Sequence, residues 1–359
     1  MAKGWACIAR LGGIGDNLVA GSPCRPLKRL GYNIEMLTSG MASCVFLNNP
    51  FIDKLSVKQE GEIPGGDNWH IWFASRAGEY DLLVNLSNSM ETRHAAHRSN
   101  THFWWPQDYR RFYCGGSYLE TAHDIVGVAH EFGPLFFPTE EEKDRAERTR
   151  ADIIGGPYIT WILAGSRLDK IYPWTTHVIC RILSELKIPV VLIGVGPNQF
   201  QMAQGVQVEV NRANSNERGL HLAMSPDGSD PGGHQHWGIR RSLTQALTGS
   251  LVVTPDTGAA WACAFEDMPK IVMTSHASPE NITKHWKNCV TLHADPYRVP
   301  CSPCHRLHDD MSTCVPANNK ELANVAACMA DISAASLMEA IERQWIKPKP
   351  KLVQLEAAE

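Results

Sequence analysis

LVVTPDTGAAWACA, residues 251–264, is the stretch whose reading decides the fold. Leu251-Val252-Val253 is a short apolar run of the kind that forms a buried strand. Thr254 to Gly258 breaks the extended pattern, and Ala259 to Ala264 reads as the first turns of a helix. A strand that enters a helix through a turn of small residues leaves backbone N–H groups unpaired at the helix start. Those groups carry partial positive charge and suit an anion, above all a phosphate. The attraction is roughly 0.3–1 kcal/mol for an exposed charge. Taken alone, the stretch fits an ordinary α/β turn or the seat of a nucleotide diphosphate.

The chain has 359 residues, which favours two domains. With 43% apolar and 20% charged residues it can pack cores and is not disordered. A net charge of −4 excludes a nucleic-acid sleeve but not a small anionic ligand, which needs only local positive charge. Met1 to Cys7 lacks a secretory pattern, and no apolar run approaches the length of a membrane span, so the chain reads as cytoplasmic. Its 11 cysteines then need a role other than disulfides.

Upstream, Gly4 to Leu11 reads as a first strand, followed by the turn Gly12-Gly13-Ile14-Gly15-Asp16. Asn17 to Leu30 has helical spacing, but Pro23 and Pro26 make that helix start late, kink or break. Ile34 to Leu37 and Asp81 to Leu86 are the next clear strands. This rhythm implies a parallel sheet with helices on both faces. The glycine turn matches neither the dinucleotide fingerprint nor a phosphate loop ending in Lys-Ser/Thr. Asp16 has two readings: a helix cap or dipole partner, or a general base at the sheet edge where ligands of such folds gather. Between Asn85 and Arg111, aromatics stand beside Arg93, His94, His97, Arg110 and Arg111. They suit either an acceptor groove or loop packing, and packing is the expectation for Trp104 and Trp105. Glu140 to Asp152 reads as a solvated helix, and Gly155-Gly156-Pro157 as a hinge.

A second series starts at Tyr158 to Leu163, a strand, and enters a polar turn containing Gly165, Ser166, Arg167 and Lys170. Lys170 is the natural cation for a phosphate, or else a solvated loop lysine. Thr175 to Leu186 reads as a helix, Val190 to Gly194 as a strand, and Asn211 to Trp237 as a long loop whose His234 and His236 make no metal site alone. Ser242 to Leu247 and Ser336 to Trp345 have helical spacing, Lys270 to Thr274 reads as a strand, and Lys347 to Glu359 as a loose tail. Cys301-Ser302-Pro303-Cys304 has metal-knuckle spacing, and with Cys314 and Cys328 it matches a four-thiolate site for zinc or iron. His305 and His308 are substitute ligands, and free or redox-paired thiols are the alternative. No Asp-x-Asp pair is present to offer a divalent ion to a sugar nucleotide.

Four segments together resemble the ADP-heptose lipopolysaccharide heptosyltransferases, glycosyltransferase family 9. They are Ile8–Asp16, Ala164–Trp174, Val253–Gly258, and Pro300–Cys304 with Cys328-Met329. The resemblance implies the α/β GT-B fold, two Rossmann-like doubly wound parallel-sheet domains facing a cleft. It places an acceptor domain at 1–154, a nucleotide-sugar donor domain at 155–335 with the cysteine-rich segment 301–328, and a helix and tail at 336–359. It implies inverting sugar transfer, most often of heptose from ADP-heptose, to a bacterial surface glycan such as lipopolysaccharide core or to a surface protein. No catalytic cofactor or divalent metal enters that chemistry, and a homo-oligomer is allowed. Asp16 would be the general base, with Gly13 and Arg93 on the acceptor side. Gly165, Ser166, Lys170, Gln199, Asp256, Thr257 and Gly258 would bind the donor. The family commonly has His where this chain has Trp261, and an acidic ribose contact where it has amides from Asn198 to Gln201. Relatives that glycosylate surface proteins carry a cysteine-bound metal, which favours that branch. The alternative is a non-catalytic nucleotide-sugar sensor or assembly subunit on the same fold.

Overall fold

Apolar runs separated by small-residue turns fold into two all-parallel sheets with helices between the strands. The structure, a computed structural model, describes residues 4–345 apart from 60, 65–67, 166, 214–218, 226–236, 319–321 and 323. The first sheet contains β1 (Trp5–Arg10), β2 (Asn33–Ser39), β3 (Lys54–Lys58) and β4 (Leu82–Asn85), in the order β3-β2-β1-β4. The second contains β5 (Ile159–Ile162), β6 (Val190–Val195), β7 (Leu220–Ser225), β8 (Leu251–Pro255), β9 (Lys270–Thr274) and β10 (Cys289–His293), in the order β10-β9-β8-β5-β6-β7. β5, β8 and β9 are buried at every position, which is why they read as unbroken apolar runs rather than alternating ones.

In each sheet the chain reverses its direction of travel once. The reversal lies between β1 and β4 in the first sheet, and between β5 and β8 in the second. Ligands of open parallel sheets bind beyond the carboxyl ends of the strands at such reversals. The turns after β1, β5 and β8 are the three singled out from the sequence.

Several elements differ from expectation. The helix expected over 17–30 is two helices, Ile14–Gly21 and Cys24–Arg29. Pro23 caps the second and Pro26 sits in its first turn, where a missing N–H costs no helical hydrogen bond. The stretch 211–237 is not one loop: the helix Pro197–Arg212 runs into it and β7 lies within it. His234 and His236 lie outside the described residues. β3 and β10 were not expected. Both are short edge strands, half-buried along most of their length, so their apolar pattern is weak. The turns after Gly258 form a 3-10 helix, Ala259–Cys263. The charged helix Glu140–Arg148 is held by a Thr139–Glu142 capping box and continues as a wider turn, Thr149–Ile154, to Gly155 at φ 86°. The helix Ala334–Gln344 packs Leu337, Met338 and Ile341 into the second lobe's core. No described helix is long and apolar enough to cross a membrane.

The lobes meet through their ligand turns. A Cβ on Gly15 would stand 2.6 Å from the Gly258 Cα, and a Cβ on Gly258 would stand 2.6 Å from the Gly15 N. Both atoms met are backbone, so neither can swing aside. Gly15→Ala therefore wedges the lobes apart. Ligand affinity in the cleft is expected to fall at least tenfold while the far-ultraviolet circular dichroism stays unchanged. An unaltered affinity would show that this contact does not set the geometry of the cleft.

Candidate active site

The first lobe contributes a carboxylate held by a buried cation. Arg10, the last residue of β1, is 1% exposed, and its guanidinium reaches both Asp16 (3.0 Å) and Glu91 (3.0 Å). It also donates to the Leu86 carbonyl (2.9 Å). Burial disfavours the Arg10 charge, but Asp16 and Glu91 outweigh that and raise its pKa. Asp16 is not a helix cap. Gly13 occupies that position with no side-chain bond, and Asp16 lies in the first turn of Ile14–Gly21. Asn17 fixes the turn by donating to the Gly12 and Gly13 carbonyls and accepting from Thr38. The Asp16 side chain keeps 35% of its surface open.

The second lobe contributes the cation for a phosphate. Lys170 ends a single 3-10 turn, Leu168–Lys170, and its Nζ lies 3.2 Å from the Asp256 carboxylate. Asp256 and Thr257 are buried at the end of β8, and the Thr257 hydroxyl has no protein partner among the described residues. An unpartnered buried hydroxyl costs free energy unless a ligand or water meets it. Gly165 leaves the space the Lys170 chain fills, since a Cβ there would stand 2.6 Å from Lys170 Cδ.

These groups line one cavity of about 430 Å³, within the usual range for a small-molecule site. Gly13, Asp16, Gly165, Lys170, Gln199, Asp256, Thr257 and Gly258 all face it. Arg93 does not; it is exposed at the end of the helix Ser89–Arg93. Ser166 lies outside the described residues. The structure adds Glu91, Tyr118, Arg167 and His276 to the lining. Burial, with Asp256, Asp16 and Glu91 nearby, raises the Tyr118 pKa and keeps its phenol protonated. Trp261 is buried in the wall, stacked on Tyr118 and edge-on to Trp286.

Arg110 and Arg111 do not line the main cavity, and Arg110 borders the small cysteine cavity instead. They donate to the carbonyls of Cys304, Pro303, Pro300 and Ser302, clamping the cysteine segment to the first lobe. Ala96 pairs with the same segment through His305 and Leu307. The tryptophans divide: Trp105 packs on His102, Tyr109 and Tyr113, whereas Trp104 is 60% exposed rather than packed away.

Cys301, Cys304, Cys314 and Cys328 line a second cavity of about 60 Å³ with His308 and Asp169. All four are free thiols. Burial, with the neighbouring carboxylate and thiols, pushes Cys304 and Cys314 up to about 12 and Cys328 well above its ordinary value. The donor chemistry suits zinc or iron, which would deprotonate the thiols. Yet among the described residues no three or more His, Cys, Asp or Glu side chains stand in metal-holding geometry.

His94 behind the clamp makes the fold acid-sensitive. Burial, aided by Arg93, lowers its pKa to about 4 against the weaker pull of the Cys114 carbonyl. Between about 4 and the ordinary 6.5 the unfolded chain binds a proton that the folded chain does not. Stability therefore falls as pH drops through that window. His94→Gln is expected to flatten the slope of melting temperature against pH there; an unchanged slope would contradict it.

Two doubly wound parallel sheets, with their ligand turns meeting across a cleft, define the GT-B architecture of nucleotide-sugar-dependent glycosyltransferases. No family model and no curated protein sequence matches the chain. Solved structures do. A glycosyltransferase family 9 protein from Veillonella parvula is similar at TM-score 0.62 and 14% identity, covering 96% of this chain and 98% of the other. The E. coli ADP-heptose lipopolysaccharide heptosyltransferase II is similar at TM-score 0.57 and 14% identity, covering 94% and 98%. The iron-containing dodecameric glycosyltransferase TibC from enterotoxigenic E. coli is similar at TM-score 0.53 and 12% identity, covering 96% and 77%. The fold is that of the family 9 heptosyltransferases.

Proposed function

We propose that the protein is an inverting glycosyltransferase that moves a sugar, foremost heptose from ADP-heptose, from a nucleoside diphosphate to a bacterial surface glycan or protein. The observation that carries this is the shared cavity, with an open carboxylate on one wall and a lysine beside an unpartnered hydroxyl on the other. The acceptor hydroxyl attacks the anomeric carbon as the bond to the diphosphate breaks. Its proton passes to Asp16, and Lys170 with the 256–258 turn stabilises the charge that leaves on the diphosphate. One carboxylate suffices, and no covalent enzyme intermediate forms. Residues 1–154 would serve the acceptor and 155–335 the donor, with Gln199 facing the nucleoside and Gly13 the acceptor. TibC has been solved with ADP-D-beta-D-heptose, at TM-score 0.50 and 12% identity to this chain. That supports the choice of donor.

Ligand binding raises stability by RT ln(1 + [L]/Kd), so a melting-temperature screen of nucleotide sugars tests the reading. A rise with a nucleoside-diphospho-sugar, followed by transfer to an acceptor, is expected. A rise without transfer to any acceptor would favour the sensor alternative, and no rise with any donor would refute both.

The four cysteines, which share one small cavity, are proposed as a structural zinc or iron site. Purified protein should carry close to one equivalent of tightly held metal. Less than about half an equivalent of zinc plus iron would remove the site.

A further inference from the structure

Beneath the diphosphate turns lies a buried pair that the proposed chemistry does not use. Asp169 immediately precedes Lys170 and is 1% exposed; His276 follows β9 and is 2% exposed. The Asp169 Oδ2 lies 2.9 Å from His276 Nδ1 and accepts from the Ser275 hydroxyl at 3.1 Å. Burial disfavours the Asp169 charge, but the His276 hydrogen bond and the charges of His276 and Lys170 outweigh it and bring its pKa down to about 2. An ionised carboxylate only accepts, so Nδ1 must carry the proton. The His276 backbone is pinned too, its carbonyl accepting from the His305 N–H at 2.8 Å. With Nδ1 committed, Nε2 has no hydrogen-bond partner among the described residues. His276 stands between two cavities: it lines the main one with Gly165, Arg167, Lys170 and Asp256, and the small one with the four cysteines.

A histidine held this way differs from one that merely fills a core. A nearby carboxylate orients the ring and fixes its tautomer, leaving one nitrogen to present. The same wall offers Lys170, which pairs with Asp256, and Arg167, which pairs with Asp309; both cations can be shared with an anionic ligand group. We propose that His276, oriented by Asp169 and Ser275, is a further contact to the diphosphate of the donor, its Nε2–H donating to a phosphate oxygen beside Lys170. The inference rests on the glycosyltransferase reading and assigns a donor-binding role to His276 and a positioning role to Asp169.

Calorimetric titration of the full chain with ADP, UDP, AMP and UMP tests it. His276→Asn keeps a donor where Nδ1 stood, and with it the tether to Asp169, but does not reach the cavity as Nε2 does. It is expected to weaken nucleoside diphosphate binding about tenfold or more, and monophosphate binding far less. Asp169→Asn, which replaces the charged acceptor 2.9 Å from Nδ1 and loosens the ring's orientation, is expected to shift diphosphate affinity in the same direction. Wild-type diphosphate affinity in either folded variant would overturn the inference, as would equal losses for mono- and diphosphates. If the wild-type chain binds none of these nucleotides, the glycosyltransferase reading itself fails. If the wild type binds and the variants match it, only the role of His276 fails.

Discussion

Asp16→Asn is expected to lower turnover by about 100-fold or more and to leave the donor dissociation constant within twofold of wild type. The substitution is nearly isosteric, and the amide still faces the Arg10 guanidinium that the carboxylate meets at 3.0 Å. What it removes is the capacity to take a proton. A group that acts only as the acceptor hydroxyl attacks affects the chemical step and not the resting complex, so kcat falls while donor binding stays. Arg10 remains engaged by Glu91 in the variant, so the turn should keep its shape. Melting temperature and donor titration check that part. Turnover above about a tenth of wild type would remove Asp16 from the base role.

Lys170→Ala acts on the opposite wall and with the opposite signature. Loss of a charge-assisted contact to a diphosphate is worth about 1.5–3 kcal/mol, so donor affinity should fall roughly 10- to 100-fold. The substitution also leaves the buried Asp256 carboxylate without its partner at 3.2 Å, which lowers stability. Lys170→Ala combined with Asp256→Asn separates the two effects. The double variant should regain melting temperature without regaining donor affinity. Donor affinity near wild type in either variant would place the diphosphate elsewhere.

The central strands were readable because burial on both faces leaves unbroken apolar runs such as Leu251 to Val253. The ligand turns were readable because each follows such a strand at a reversal of strand order. Asp16, Lys170, Asp256, Thr257 and Gly258 face one cavity for that reason. Other features carry no local signature. β3 and β10 are half-buried edges, and β7 is hidden in a polar stretch. The link from Arg10 to Glu91 spans 81 positions and that from Asp169 to His276 spans 107, and neither partner's neighbourhood announces the other. Arg110 and Arg111 stayed open to two readings because a cation beside aromatics suits a groove and a packed loop alike. Only the path of the 300–304 segment shows that backbone carbonyls occupy them.

A crystal structure with a nucleoside diphosphate in the cleft tests the central claim most directly. The account predicts both phosphates in the cavity against Lys170 Nζ and the Thr257-Gly258 turn, with the Asp16 carboxylate on the opposite wall. Phosphates bound away from Lys170, or a nucleotide seated outside the cavity between the two sheets, would contradict it.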